Sequence, residues 1–238
     1  MDDLAQIWAY LSREPLLWLT ATLAAYVIGD TAAQAANRAP WANPVLLAVI
    51  LLAALLAATG TPYATYFEGA QFVHFLLGPA IVALAVPLWA QGARLRRALL
   101  PVAAGLLAGS LTSVTAALLI GRAFGLDAPT LASLAPKGTT APVAIGIAQG
   151  LGGSATLAAV LVLLTGITGA LVVTPLFNAL GFTDWRARGL AVGTAAHGIG
   201  TARALQVHPT AGAFAAIAMG LNAILTALLA PLVLRAFL

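Results

Sequence analysis

Residues 153 to 180, GSATLAAVLVLLTGITGALVVTPLFNAL, contain no charged side chain. A helix needs about 20 apolar residues to cross the hydrocarbon core of a bilayer, and this stretch supplies them. Inside that core every backbone N–H and C=O must find an internal partner, which restricts a spanning chain to helices or a closed barrel. Seven further apolar stretches lie near 15 to 34, 44 to 59, 72 to 90, 98 to 124, 129 to 150, 186 to 206 and 211 to 236. Together they predict an all-α polytopic membrane protein, a single transmembrane domain over 1–238. The composition agrees: 8% of the 238 residues are charged, against about 25% in soluble domains.

The few charges act as orientation signals. Eleven Lys and Arg face seven Asp and Glu, without the clustering that tracks a nucleic-acid backbone. Arg94, Arg96 and Arg97 mark one connector as cytoplasmic by the positive-inside rule. Counting from it, Arg38, Arg186 and Arg188 fall on the same side, while 60 to 71, 150 to 153 and 206 to 210 carry no Lys or Arg and fall outside. Trp41, Trp89 and Trp185 then share the cytoplasmic interface. The acidic start MDDLAQIWAY lacks the positive region of a signal peptide, so no cleavage is expected.

This orientation puts both ends of 129 to 150 outside, although its length suits one crossing. The segment is therefore expected to be a re-entrant hairpin, turning around Pro136, Gly138 and Pro142, where a continuous helix would lose hydrogen bonds. The hairpin inverts the second half of the chain relative to the first. Weak matches recur at offsets of 111 to 113: Thr61-Pro62 with Thr174-Pro175, Gly109 and Thr115 with Gly220 and Thr226, and Arg122 with Arg235. They suggest two inverted repeats, 1–125 and 126–238, with crossed discontinuous helices interrupted at Gly78-Pro79 and across Gly198 and Gly200.

A break at mid-membrane exposes the N–H groups of the following half-helix, whose dipole favours an anion. Pro79 suits the first position of such a half-helix, having no N–H to leave unsatisfied. In GTAAHGIGTAR, residues 193 to 203, Arg203 is expected to reach the same space and grip a carboxylate with two parallel hydrogen bonds. His197 either donates to the solute, carries a coupled proton or bonds a freed carbonyl. Thr201 lies between them. Lys137 at the hairpin tip either approaches the central cavity or extends outward, and Thr139 and Thr140 either bind a hydroxy group or cap the returning limb. Asn222 and Thr226 share a helix face, as do Thr112 and Thr115, and either meet the solute or bond neighbouring helices. His74 reads as structural.

The acids Asp2, Asp3, Glu14, Glu68, Asp127 and Asp184 fall in tails or connectors, and Asp30 falls near a helix end. That disfavours a cation/proton antiporter or a sodium site. The chain has no cysteine and no HExxH or GxSG-type motif, so no enzyme, metal centre or cofactor is expected.

The stretches NPVLLAVILLAALLAATGTPYATYFEG, LLGPAIVALAVPL, APKGTTAPVA, LGGSATLAAVLVLLTGITGA, GTAAHGIGTARAL and AMGLNAILTALLAPL resemble the LrgB family. The resemblance runs from Asn43 to the end. It implies a multi-pass protein of the bacterial cytoplasmic membrane, often paired with a small LrgA/CidA-like membrane partner, and a fold similar to bile-acid symporters and cation/proton antiporters. Two functions follow as expectations: alternating-access transport of small monocarboxylates such as glycolate, glycerate or pyruvate, one bundle moving against the other as in an elevator, or a holin/antiholin-like role in murein hydrolase export or lysis. A homodimer is compatible with either. Ala196 and Gly138 stand where the family usually has serine, which removes two hydroxyls from the expected site.

Overall fold

The computed structural model describes residues 14–39, 41–76, 79 and 98–237. Gly78 and 80–97 lie outside them, and with them the expected interruption at Gly78-Pro79, Trp89 and the cluster of Arg94, Arg96 and Arg97. The described residues include four helices long and apolar enough to cross a membrane. The chain divides into two compact units, Met1–Ala83 and Leu84–Leu238.

In the first unit, α1 (Pro15–Ala35) packs against α2 (Pro44–Thr59) and α3 (Tyr63–Phe75). Proline opens α1 and α2, where its missing N–H costs nothing. Asn43 caps α2 by accepting from the N–H groups of Val45 and Leu46 at 2.9 and 3.1 Å. Gly29 lies against the Pro44 carbonyl and Gly69 against that of Pro15, so the backbones nearly touch. Buried Trp18 meets Tyr66 edge-on, centroids 5.9 Å apart. The connector expected over 60 to 71 is largely helical. Tyr63, Tyr66 and Phe67 stand three and four apart and pack on one another, which favours helix. Glu68 therefore sits exposed within α3 rather than in a loop.

The second unit contains α4 (Leu99–Ala123), α5 (Ala128–Leu134), α6 (Ala141–Gly150), α7 (Ala155–Ala179), α8 (Trp185–Val207) and α9 (Pro209–Arg235). At 25 residues each, α4 and α7 are about 37 Å long, enough to cross a bilayer. The segment expected to form a hairpin does so. Asp127 caps α5 by accepting from Thr130 N–H, the helix gives way to a turn at Ala135–Thr140, and α6 packs back on α5. The Ser154 N–H, just beyond α6, donates to Ser133 Oγ near the end of α5 at 2.8 Å.

The span expected over 186 to 206 is not a broken helix that crosses. Straight, its 23 residues would cover about 34 Å, yet the rings of Trp185 and His208 stack 4.8 Å apart. The chain reverses at Ala196 (φ −124°, ψ 15°) and His197 (φ 38°, ψ −132°), not across Gly198 and Gly200, which are helical. A second hairpin results, with its base at 185 and 208 and its tip at 194–198. The 206 to 210 connector accordingly lies at the same end as Arg186, not opposite it.

The two hairpins come from opposite ends. Leu131 and Ala132 of the first pack with Leu118 near the end of α4 and Leu234 near the end of α9. Leu190 of the second packs with Val102 near the start of α4 and Phe214 near the start of α9. Helix then hairpin thus occurs twice, Leu99 and Ala155 opening the helices about 56 positions apart, roughly half the offset read from the sequence. Small residues permit the packing: Gly189 and Gly193 lie against the carbonyls of Ala211 and Ala215, where a Cβ would collide.

Candidate functional site at the hairpin tips

The tips meet on Asn222, midway along α9 and 2% exposed. Its amide nitrogen donates to the carbonyls of Gly138 and Thr194, each at 3.0 Å. Its oxygen accepts from the hydroxyls of Ser110 on α4 and Thr226 one turn along α9. An amide has two donor hydrogens and two acceptor lone pairs, so these four bonds fill it. In the structure Asn222 bonds α4, its own helix and both hairpin tips.

Lys137 stands beside this junction, partly buried, its Nζ 3.5 Å from Ser113 Oγ. Thr139 is 1% exposed and donates to the Thr140 carbonyl at 3.1 Å. Thr140 is the N-cap residue of α6 but makes no side-chain capping bond. The first turn of α6, in which Pro142 has no N–H, therefore starts next to the Lys137 tip without the side-chain oxygen that commonly caps a helix.

At the second tip, buried His197 places Nε2 2.9 Å from the Val162 carbonyl of α7. A carbonyl only accepts, so Nε2 carries the hydrogen. The ring seats over Gly166, where a Cβ would stand 2.6 Å from Cε1. The bond goes to a neighbouring helix, not to a carbonyl freed at the break. Thr201 donates to the His197 carbonyl at 2.7 Å. Gly198 faces Met219, and Gly200 packs on Val192 and Ala196.

Arg203 is placed elsewhere than expected. It lines a cavity of about 20 Å³ at the base of the second hairpin, with Thr174, Phe177, Trp185, Arg188 and Val207. The reversal at His197 turns the second limb back toward the base and takes Arg203 with it. Arg188, expected only as an orientation charge, is buried beside it, its Nε donating to Phe182 O at 2.6 Å and its Nη2 to Asn178 Oδ1 at 2.7 Å. Its guanidinium also lies 4.9 Å from the centroid of Trp185 and 5.8 Å from that of Phe177. The sequence reading missed Ser110 and Ser113; the polar run SLTSVT inside an apolar helix signals them, whereas the expected Thr112 is exposed. Thr194 leaves no sequence signal, because its backbone oxygen is what bonds.

Among the described residues no group of His, Asp and Glu is arranged to hold a metal. Asp127 and Asp184 serve as helix caps.

The LrgB-like family model matches residues 22–236. The chain belongs to the LrgB-like family. It is 37% identical over 199 residues to the uncharacterized protein YxaC of Bacillus subtilis, 83% of this chain and 86% of that protein. Over 224 residues it is 30% identical to the holin-like protein CidB of Staphylococcus epidermidis, covering 94% of this chain and 97% of the relative. CidB of Staphylococcus aureus is 30% identical over 198 residues, 83% and 86% of the two chains. No solved structure gives a significant match. Four long apolar helices and these relatives make this LrgB-like chain an integral membrane protein.

Proposed function

We propose that this protein controls the passage of a small solute across the bacterial cytoplasmic membrane, in the holin-like role for which its CidB relatives are named. Those names support the holin-like part directly. The geometry supports a finer reading of the passage itself: a carrier for small monocarboxylates of the glycolate, glycerate or pyruvate kind, working by alternating access. One observation carries it, namely two hairpins from opposite ends whose tips meet on the buried Asn222 amide. A simple pore needs no such pair of closures.

The anion preference rests on Lys137 and the α6 N-terminus, a lysine amine and a helix dipole side by side at the first tip. Thr139 and Thr140 border that space; His197, Gly198, Gly200 and Thr201 build the facing tip. Arg203 and Arg188 at the other hairpin base would draw a carboxylate toward that end. Cation/proton antiport has less support, since the described acids nearest the hairpins cap helices.

Proteoliposomes containing the purified chain test both parts, with labelled glycolate and pyruvate outside and a trapped neutral dye inside. Saturable uptake without dye release is expected, and Lys137→Gln should abolish it. Dye release without saturation would replace the carrier with a plain holin pore. Neither signal, with or without a small LrgA/CidA-like membrane protein, would overturn the proposal.

A further inference from the structure

We infer that Asn222 is the shared positioning residue of the two hairpins, holding both tips closed with one N–H each and contacting no solute. The inference rests on the reading of the hairpins as gates. Gly138 and Thr194 occupy comparable places, one at each tip, and each presents its backbone oxygen to the same amide nitrogen at 3.0 Å.

The two carbonyls fix the orientation of the amide. A flip would turn the amide oxygen toward the Gly138 and Thr194 carbonyls, which can only accept, so these two bonds fix the orientation, and the Ser110 and Thr226 hydroxyls, which could donate or accept, donate to Oδ1 and fill its lone pairs. Ser110 belongs to α4, and Asn222 and Thr226 to α9, both membrane-length helices. The latch is thus mounted on the long helices and grips the two short hairpins.

An arrangement of this kind lets either tip leave without the other. Opening one hairpin gives up one hydrogen bond, while the second N–H keeps the opposite tip in place. Each hairpin is also tied away from Asn222. Arg188 fastens the second hairpin to Asn178 in the last turn of α7 and to Phe182 just beyond it; in the first hairpin Ser133, near the end of α5, accepts from the Ser154 N–H past the end of α6.

The chain contains no cysteine, which permits site-specific maleimide labelling. Single cysteines would replace Thr139 and Thr194, 1% and 4% exposed at the tips, and Ala158, fully buried on α7, as a control. In the parent chain all three should react slowly. With Asn222→Leu, which keeps the branched skeleton but has no donor, both tip cysteines should label about tenfold faster. That factor is about 1.4 kcal/mol, in the range of one lost hydrogen bond, and Ala158→Cys should not change. Ser110→Ala leaves both donors and removes only one bond to the amide oxygen, so it should give a smaller rise confined to the tips. Unchanged tip labelling in folded Asn222→Leu would overturn the assignment. An equal rise at Ala158→Cys would also overturn it, by making Asn222 a general core contact. Labelling is read without any solute, so it separates this inference from the transport reading.

Discussion

The imidazole Nε2 of His197 lies 2.9 Å from the backbone oxygen of Val162, and this bond secures a residue held at φ 38° where α8 reverses. A side chain at such a backbone angle costs about 1–3 kcal/mol, and glycine would remove that cost. His197→Gly loses the bond but relieves the strain; His197→Ala loses the bond and keeps the strain. We expect the alanine variant to melt at a lower temperature than the glycine variant in detergent, by an amount equivalent to about 1 kcal/mol. Equal melting temperatures would mean that the reversal is unstrained.

Gly193 lies against the Ala215 carbonyl along the α8–α9 contact. The obstacle to a methyl group is backbone, which cannot swing aside as a flexible side chain would. Gly193→Ala should therefore cost about 1–3 kcal/mol despite its better helix propensity, whereas Gly146→Ala, with nothing near its Cβ position, should be neutral or stabilising. Thermal melts of the two variants in one detergent check the contrast.

Arg188 is 9% exposed and is satisfied by a carbonyl, an amide oxygen and two ring faces. Lysine cannot reproduce the fork or the stacking. Arg188→Lys should thus lose most of the stability lost in Arg188→Gln, roughly 2–4 kcal/mol, with proteolysis near the 180–188 connector rising in both. Wild-type protease resistance in the lysine variant would show that charge alone suffices.

Asp184 begins α8 by accepting from the Arg186 N–H, and its ion pair with the Arg186 guanidinium holds its pKa down at about 2. A depressed acid contributes fully above its unfolded value of about 3.9 and loses that contribution as pH falls through about 2. The pair is half exposed, so solvent reduces the effect to well under about 1 kcal/mol. The parent chain should lose this increment between about pH 4 and pH 2, and Asp184→Asn, whose amide oxygen still caps the helix, should show a flatter acid limb.

Much of the fold was legible because burial in a bilayer leaves few choices. The absence of charge through 153–180 marked α7, and Pro136 with Gly138 marked the first hairpin. The second hairpin was not legible, because glycine is the expected place for a break and the reversal falls instead on Ala196 and His197. The neighbouring glycines serve close packing, which leaves the same composition as a flexible joint. The error carried forward: a crossing helix would have brought Arg203 toward mid-membrane, while a hairpin returns it to the base. Within the site, Lys137 and Asn222 stood out as polar groups in apolar surroundings, but backbone acceptors such as those of Gly138 and Thr194 have no residue type to announce them.

The fold-back of residues 185 to 208 carries the opposed-hairpin architecture, and a distance measurement tests it most directly. Spin labels on Arg186→Cys and Val207→Cys, in the otherwise cysteine-free chain and in lipid, can be read by double electron–electron resonance. The account predicts a short separation, under about 20 Å, because Trp185 stacks on His208 and a label adds only its own tether to helices packed about 8–10 Å apart. A separation near 32 Å, the length of about 21 helical residues, would mean a helix that crosses the membrane and would contradict it.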